Sequence, residues 1–277
     1  MKIVLSRKGF DSGYGGCASP IFPDGTMISM PIPEPGANIR YDYLHTENGK
    51  DYYTLWCDLL GHEPPCETCH LDPDIKKEII SSRPENWRPA FGQINAAQTH
   101  IENQGIKEGD IFLFFGWFRK TVYQREKLIY MNDQPDIHAI YAYLQIGNIL
   151  KGNDVKKCPW HPHSDDSHIY NKNGDLTNNT IFVAAERLII DEHDMDFPGA
   201  GVFRYTDNIV LTAPQRNRTE WKLNDVFKNV CLTYHSSNSI KDGYFKSAKR
   251  GQEFVFDESH IVTDWLKTII EEQKHLH

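Results

Sequence analysis

Short apolar runs separated by polar turns extend along most of the chain, a pattern typical of β-strands. The apolar residues at positions 3–5 predict a first strand almost at the N-terminus. The longest runs, residues 110–115 and 137–149, predict two central strands joined by a polar connection over residues 119–136. Further short runs that alternate with turns lie at residues 28–30, after an Asp24-Gly25 hairpin signal, and at residues 181–185, 201–203, 209–211 and 253–256.

Two segments have the spacing of apolar positions that predicts amphipathic helices. The first covers residues 93–104 and is followed by Gly105, and the second is an amphipathic C-terminal helix with apolar residues at Ile261, Trp265, Leu266, Ile269 and Ile270. Glycine and proline are dense over residues 11–39, which argues against a helix there. The pattern predicts one α+β domain over residues 1–277, with a β-rich mixed sheet or barrel core and peripheral helices.

Composition narrows the class of protein. The 277 residues are 39% hydrophobic and 12% aromatic, which is enough to build a large core and argues against disorder. No apolar run approaches the roughly 20 residues that cross a bilayer, and the N-terminus lacks a signal peptide, so a cytoplasmic protein is expected. The net charge is −8, which disfavours tight non-specific binding to nucleic acid and leaves a free nucleotide as the easier partner.

A glycine-rich loop follows the first predicted strand and carries Lys8, Asp11 and Ser12. Backbone N–H groups in such a loop bind phosphate, with Lys8 and Ser12 as substrate-binding candidates and Asp11 as a catalytic one. The order of residues fits neither a P-loop nor a dinucleotide-binding fingerprint. The alternative is a connection to a hairpin whose glycines serve only turn geometry.

Two carboxylates lie two residues apart at Asp72 and Asp74, on either side of Pro73. Such a pair acts as acid and base or holds a hard cation, and both residues are catalytic candidates. The alternative is that Asp72 caps a helix over residues 75–80, with Pro73 at its first position.

Polar residues next to apolar runs supply the candidate substrate-binding groups. Trp117 and Arg119 end the most hydrophobic run, and an aromatic ring beside a guanidinium suits a nucleobase. The alternative for this run is a core strand with Trp117 at an interface. Gln93, Gln252 and Glu253 are further candidates, which either bind a ligand or complete a hydrogen-bond network.

Cysteine and histidine spacing leaves two questions open. Residues 66–70 match the C-x-x-C-H haem pattern, but covalent haem needs an export route that nothing in the sequence indicates. Reduced thiols and no metal are therefore expected, and no cofactor is identified. The alternative is structural zinc on Cys57, Cys66, Cys69 and His70, with His62 also nearby, although the spacing fits no standard finger.

A separate histidine group lies at His161 and His163, with His168 downstream. His161 and His163 are two residues apart, so on an extended segment their rings share one face. They are candidates for an acid/base pair or a metal pair. The alternative is a pair of histidines that face solvent from a loop.

Several motifs together resemble the third family of nucleotide modification associated domains, from about residue 3 to residue 266. The motifs are RKGFDS at 7–12, GG at 15–16, SPI at 19–21, SMPIP at 29–33, HLDPD at 70–74, GDIFLFFGWFR at 109–119, HPH at 161–163, PGAGVF at 198–203 and GQEFV at 251–255. The resemblance implies a bacterial or phage protein in a nucleotide or DNA-base modification system. Residues 90–150 are also similar to the barrel core of PUA-like domains such as the EVE and ASCH groups, which bind RNA or modified bases and are about half this length.

These observations predict an enzyme that modifies a nucleotide or DNA base. Lys8, Asp11 and Ser12 would face the phosphate or reacting group, and Trp117 and Arg119 would hold the base. Asp72, Asp74, His161 and His163 would supply acid/base groups. The alternatives are a non-catalytic reader that docks a modified base in an aromatic pocket, and an interaction scaffold in a phage or defence system.

Overall fold

The strands of the computed structural model, which describes residues 1–249, 251–274 and 276, are mostly short. In chain order they are β1 (Ile3–Arg7), β2 (Ser19–Ile21), β3 (Ile32–Pro33), β4 (Ile39–Arg40), β5 (Thr68–His70), β6 (Ala90–Gln93), β7 (Ile111–Gln124), β8 (Lys127–Tyr130), β9 (Ile137–Lys151), β10 (Thr180–Ala184), β11 (Arg187–Ile190), β12 (His193–Pro198), β13 (Ala200–Val202), β14 (Glu220–Trp221), β15 (Ile240–Lys241), β16 (Tyr244–Lys246) and β17 (Glu253–Val255). The architecture is mixed α+β, which confirms the predicted fold class.

The α-helices are α1 (Tyr52–Leu60), α2 (Asn95–Asn103), α3 (Asp166–Ile169), α4 (Asp225–Asn229) and α5 (His260–Gln273). Four of the five α-helices of the described residues begin at a residue whose side chain caps the helix, and α2 is the exception. At the start of α1 the side chain of Asp51 accepts a hydrogen bond from the Thr54 amide, and Ser259 does the same for Ile261 at α5. Helices α2 and α5 confirm the two helical predictions, and no helix of the described residues is long and apolar enough to cross a membrane.

One large mixed sheet organises the molecule. Its strands run in the order β17-β1-β7-β9-β10-β6, with β2, β8 and β13 added at its sides. Strand β1 pairs in parallel with β7 and antiparallel with β17, so the N-terminal strand lies inside the sheet. The apolar run of β7 is buried from Ile111 to Phe115, as expected for a strand covered on both faces.

The sheet curls without closing. Its outermost strands, β6 and β17, are joined by a side-chain hydrogen bond of 2.7 Å from Nε2 of Gln93 to Oε1 of Glu253. No backbone ladder joins these two strands in the described residues, so the predicted alternative of a barrel core is wrong. The curl nevertheless brings the two edges of the sheet together at Gln93 and Glu253.

The consecutive residues Phe114 and Phe115 of β7 point to opposite faces of the sheet, and each face is named here after the residue that points to it. The Phe114 face carries Ser6 and Glu253 together with the rings of Phe91 and Tyr141, which lie 5.2 and 6.4 Å from Phe114. The Phe115 face carries Trp221 and Phe254, with ring centroids 5.3 and 6.1 Å from Phe115. Since side chains alternate along a strand, each polar residue of β1, β7 and β17 belongs to one face or the other.

Three local predictions are wrong. Residues 28–30 form no strand: the Ile28 amide donates to the Pro20 carbonyl oxygen, but the Met30 amide donates to Oγ of Ser19, so the backbone ladder does not continue. Residues 75–80 contain a single 3₁₀ turn, Lys77–Ile79, in place of a helix. The polar connection after residue 119 is an extension of β7 that pairs with β8 in a hairpin ribbon, whose residues 122–127 are exposed and therefore tolerate polar side chains, whereas Thr121 and Leu128 are buried.

Candidate functional site

A lysine and two carboxylates meet on the Phe114 face. Nζ of Lys8 lies 3.7 Å from Oδ2 of Asp72 and 3.6 Å from Oε1 of Glu253. The side chains of Lys8, Asp72 and Glu253 are only 10%, 5% and 0% exposed. Charges are rarely buried without compensation, so this arrangement, called here the charged centre, is a candidate for chemistry.

Backbone structure brings these residues together from three parts of the chain. Lys8 directly follows β1, and Glu253 opens β17 opposite Ser6. Asp72 belongs to a segment that is tied to β6, since Asp74 and Ala90 exchange two backbone hydrogen bonds of 2.9 Å. The Gly92 amide then donates to Oδ1 of Asp72 at 2.8 Å, which fixes the carboxylate.

Glu253 is held by one of its two oxygens. Oε1 accepts hydrogen bonds from Oγ of Ser6 at 3.1 Å and from Nε2 of Gln93 at 2.7 Å. Oε2 is buried and has no partner among the described residues. Burial raises the pKa of Glu253, and the neighbouring Asp72 adds to this, although Lys8 opposes it. Glu253 is therefore the carboxylate of the centre that is disposed to carry a proton.

The pKa of Asp72 is displaced in the opposite direction to that of Glu253. Burial by itself raises the pKa of this carboxylate, but Lys8 and the histidines His161 and His163 outweigh burial and hold the pKa below its usual value. The two carboxylates beside Lys8 thus have pKa values displaced in opposite directions, the arrangement that separates an acid from a base in many active sites.

The ammonium group of Lys8 has unused donors. It lies 4.2 Å from the centroid of the Phe91 ring, and its two carboxylate contacts are longer than a hydrogen bond. No closer carboxylate contact of Nζ occurs within the described residues. The ammonium is therefore able to donate to a bound ligand.

A row of histidines continues from Asp72. Nε2 of His161 lies 3.3 Å from Oδ1 of Asp72, while Nδ1 of His161 accepts from the His163 amide at 3.2 Å. Because the Nδ1 lone pair is used in this way, the hydrogen of a neutral ring sits on Nε2, which makes no hydrogen bond in the described residues, so the contact with Asp72 is electrostatic. His161 is thus placed to orient Asp72.

Three further imidazoles lie at the end of this row. One ring nitrogen from each of His70, His163 and His168 lies within 4.8 Å of the others. Nδ1 of His163 contacts Oδ1 of Asn179 at 2.6 Å, and Nδ1 of His70 contacts Oε2 of Glu34 at 2.8 Å. Burial lowers the pKa of His163 and of His168, which keeps these rings neutral. In the part of the chain described, this is the group of His, Cys, Asp or Glu side chains that comes within the range of a metal ion.

The cysteines named with His70 in the sequence do not join this group. Cys69 is fully buried in the apolar cluster around Trp56, while His70, the next residue of β5, lies on the opposite side of the strand. Cys66 donates to the Thr68 carbonyl oxygen. The C-x-x-C-H pattern indicates the thiols as ligands, but the residues that lie near His70 are His163 and His168. These two are more than 90 residues away in the chain, so no local spacing indicates them.

A cavity of about 610 Å³ lies next to the segment that carries Asp72, although Lys8, Asp72 and Glu253 are not among its lining residues. Leu71 and Pro73 line it, and Asp72 between them contacts Lys8. Its lining includes the aromatic rings of Tyr141, Tyr143 and Phe203, together with cations (Lys76, Lys77 and Arg204) and carboxylates (Glu47 and Glu78). The hydroxyl of Tyr141 is buried without a hydrogen-bond partner in the described residues. A volume of this size suits a nucleoside-sized ligand.

Asp74 does not join the charged centre. Arg83 donates to its two oxygens at 2.6 and 2.7 Å, and the indole N–H of Trp87 donates at 3.0 Å. These three hydrogen bonds all come from residues of its own segment. The geometry therefore favours a structural part for Asp74, and its predicted catalytic role stays a prediction.

Four sequence candidates lie elsewhere. Trp117 and Arg119 follow Phe115 at every second position and so belong to the Phe115 face, opposite the charged centre. The guanidinium of Arg218 covers the Trp117 ring at 3.7 Å, and Arg119 pairs with Asp136 at 2.9 Å. The other two, Asp11 and Ser12, form local contacts: Asp11 accepts from the Gly13 and Tyr14 amides, and Ser12 accepts from Arg218.

Gln93 and Gln252 lie at the margin of the centre. Gln93 contacts Oε1 of Gln252 at 3.5 Å in addition to its hydrogen bond with Glu253. Gln252 itself is exposed. Of the sequence candidates, the structure therefore gathers Lys8, Asp72, Gln93, Glu253, His161 and His163, with Gln252 at the edge.

Comparison with known proteins gives one result. A family model described as nucleotide modification associated domain 3 matches residues 2–257, most of the chain. No curated protein and no solved structure matches.

Proposed function

The chain belongs to the nucleotide modification associated domain 3 family, and from that premise we propose that it is an enzyme that binds a nucleotide in the cavity and acts on it at the charged centre. Family membership supports a role in nucleotide modification. The observation that carries the enzyme proposal is the contact of Lys8 with two buried carboxylates whose pKa values are displaced in opposite directions.

The cavity supports the choice of ligand. A nucleobase is a flat aromatic group with polar edges, and the walls of the cavity offer aromatic rings together with the unpartnered hydroxyl of Tyr141. Burial raises the pKa of Tyr141, so its hydroxyl stays protonated and acts as a donor to the edge of a base. Of the Lys and Arg residues that line the cavity, Lys76 pairs with Glu47 and Arg204 with Asp24, so Lys77 is the one that suits the phosphate.

The charged centre supports acid–base chemistry on that ligand. Glu253 carries or accepts the proton, and its unpartnered Oε2 is the atom available to do so. Lys8 donates to the reacting group and stabilises negative charge that develops on it. Asp72 holds Lys8 in place, and His161 orients Asp72.

The reader alternative finds less support. It needs an open aromatic pocket at Trp117 and Arg119, but Arg218 covers the first and Asp136 pairs with the second. Reading of a base in the cavity at Tyr141, without turnover, stays an outcome of the experiment.

The experiment pairs binding with detection of product. The purified full chain is titrated calorimetrically with nucleoside mono- and triphosphates and with short single-stranded DNA. It is then incubated with each ligand and with the small-molecule fraction of a cell extract, which supplies co-reactants, and the nucleosides are analysed by mass spectrometry. We expect one ligand class to bind and to change in mass.

Three variants assign the roles. Glu253→Gln keeps the hydrogen bonds of Oε1, so it is expected to bind the ligand and to form no product. Tyr141→Phe loses one donor and is expected to weaken binding about fivefold. Asp58→Asn removes a carboxylate that pairs with Lys50 outside the site and serves as the matched control. Binding without product in the wild type would favour a reader, and absence of binding to every nucleotide would overturn both readings.

A further inference from the structure

We propose that His70, His163 and His168 bind a divalent transition-metal ion of the zinc class through three imidazole nitrogens. The proposal does not depend on a nucleotide substrate. It concerns the cluster at the end of the histidine row, in which one ring nitrogen of each residue lies within 4.8 Å of the others. Three imidazoles around a common point are a known ligand set for zinc that leaves a further position for water or substrate.

The outer contacts of two rings support this assignment. Metal-binding histidines usually place their second ring nitrogen against a carboxylate or carbonyl oxygen, which fixes the tautomer and the ring orientation. His70 does so with Glu34 at 2.8 Å, and His163 does so with Asn179 at 2.6 Å. In both rings Nδ1 is engaged, so Nε2 is left with a free lone pair for the ion.

The packing of the rings is built into the backbone. Asn179 also donates to the His163 carbonyl oxygen at 2.7 Å, so its side chain contacts both the ring and the backbone of His163. Gly92 lies directly under the His163 ring, where an added Cβ would come within 2.3 Å of Cγ. The ring is therefore held against β6 without room to turn away.

The local charge also suits a cation. Oε2 of Glu34 lies 2.8 Å from Nδ1 of His70, which places one carboxylate directly behind the cluster. The imidazoles themselves are half-buried or buried, with His163 only 4% exposed. A divalent ion placed among them would meet imidazole nitrogens, a ligand type that suits metals of the zinc class, with this carboxylate beside them.

The competing source of a zinc signal is the set of thiols. Zinc bound by Cys57 or Cys66 would have thiolate ligands, whereas the proposed site has nitrogen ligands only. Cobalt(II) reports the difference, because thiolate ligands add intense charge-transfer absorption in the near ultraviolet that imidazoles do not.

The test uses the full chain after treatment with a chelator. Calorimetric titration with Zn²⁺ is expected to give one ion per chain, and Co²⁺ is expected to give a visible spectrum without thiolate charge transfer. His70→Gln and His168→Gln, whose side chains are less buried than that of His163, are each expected to weaken the affinity for Zn²⁺ at least about 100-fold. Glu34→Gln, which changes only the outer contact of His70, is expected to weaken it about 10–100-fold.

Two matched controls complete the design. His100→Gln removes a partly buried histidine of α2 that contacts Thr233, and Cys66→Ser removes a thiol; both are expected to leave the affinity unchanged. Circular dichroism checks that each variant is folded. The proposal is overturned by absence of Zn²⁺ binding, by unchanged affinity in folded His70→Gln and His168→Gln, or by loss of binding in Cys66→Ser. These readouts use the metal alone, so their failure is distinct from failure of the nucleotide proposal.

Discussion

Lys8 is the cation on which both carboxylates of the charged centre depend. Its replacement by methionine keeps the length of the side chain but leaves Asp72 and Glu253 without their common partner. Removal of one member of a buried ion pair costs about 3–5 kcal/mol, because an uncompensated charge is left behind. We expect Lys8→Met to lower the free energy of unfolding in urea by about that amount, with an unchanged m-value.

A double-mutant cycle tests whether this loss arises from Glu253. In Lys8→Met/Glu253→Gln a neutral amide replaces the buried acid that Lys8 contacts, so without Lys8 no charge has to be buried or neutralised at this position, and the double variant is expected to be less destabilised than the sum of the single variants. Lys50→Met combined with Glu253→Gln is the control, because Lys50 pairs with Asp58 and the two sites share no partner. Additive effects of Lys8→Met and Glu253→Gln would contradict the proposed coupling.

Asp74 distinguishes a structural carboxylate from a reacting one. It is 0% exposed and accepts three hydrogen bonds from Arg83 and Trp87. Asp74→Asn leaves Arg83 unpaired, so we expect a loss of about 3–5 kcal/mol in the free energy of unfolding. Product formation per folded molecule is expected to persist, in contrast to folded Glu253→Gln. If folded Asp74→Asn binds nucleotide but forms no product, the structural assignment is contradicted and Asp74 has a catalytic role.

Individual site residues could be predicted from the sequence because polar residues next to apolar runs are easily recognised. Lys8 and Glu253 were found in this way at opposite ends of the chain. The same signal also nominated Trp117 and Arg119, since it does not say on which face of a strand a residue lies. The contact between His70 and Glu34 spans 36 residues, and no local pattern encodes such a contact.

At the scale of elements, the two long strands β7 and β9 determine what lies on each face. Their apolar runs predicted both strands, since buried strands read as continuous hydrophobic stretches. The hairpin ribbon of β7 and β8 was missed because its exposed residues lack that signal. His138, in β9, lies on the Phe115 face and shows what such burial does to a titratable group.

Burial lowers the pKa of His138 well below its usual value, and the nearby Arg7 and Arg218 act in the same direction. Nδ1 of His138 accepts from the Trp221 indole at 3.1 Å, which requires the neutral ring. The unfolded chain binds a proton near pH 6.5 and the folded chain does not, so stability falls as the pH drops below about 6.5, by up to about 1.4 kcal/mol per pH unit. Urea unfolding at several pH values measures this slope.

His138→Gln removes the titration while it keeps an acceptor for Trp221. Below pH 6.5 the free energy of unfolding of the variant is expected to change less steeply with pH than that of the wild type, by up to about 1.4 kcal/mol per pH unit, whatever its stability at neutral pH. His193→Gln, at an exposed position of β12, serves as the matched control. An identical slope in wild type and His138→Gln would show that His138 takes up its proton in the folded state.

At the scale of the molecule, the curl of the sheet creates the site. The α+β class could be predicted because it follows from local periodicities, and so could helix α5. Strand order could not, since β1 pairs with β7 across more than 100 residues and such pairing depends on packing that no local pattern records. The barrel alternative failed for the same reason, because closure depends on the relative position of β6 and β17.

Substitution of Gln93 tests whether the two edge strands of the sheet, β6 and β17, are held together by side chains alone. Gln93→Leu removes the hydrogen bond to Glu253 and leaves that carboxylate with Ser6 and Lys8, so a loss of about 1–3 kcal/mol in the free energy of unfolding is expected. Hydrogen exchange should show faster local opening of β17 and β6. The central strands β7 and β9 should change only by the global loss, because backbone ladders hold them on both sides. Uniform acceleration across all strands would mean that the edges and the centre open as one unit and that the Gln93–Glu253 contact has no local function.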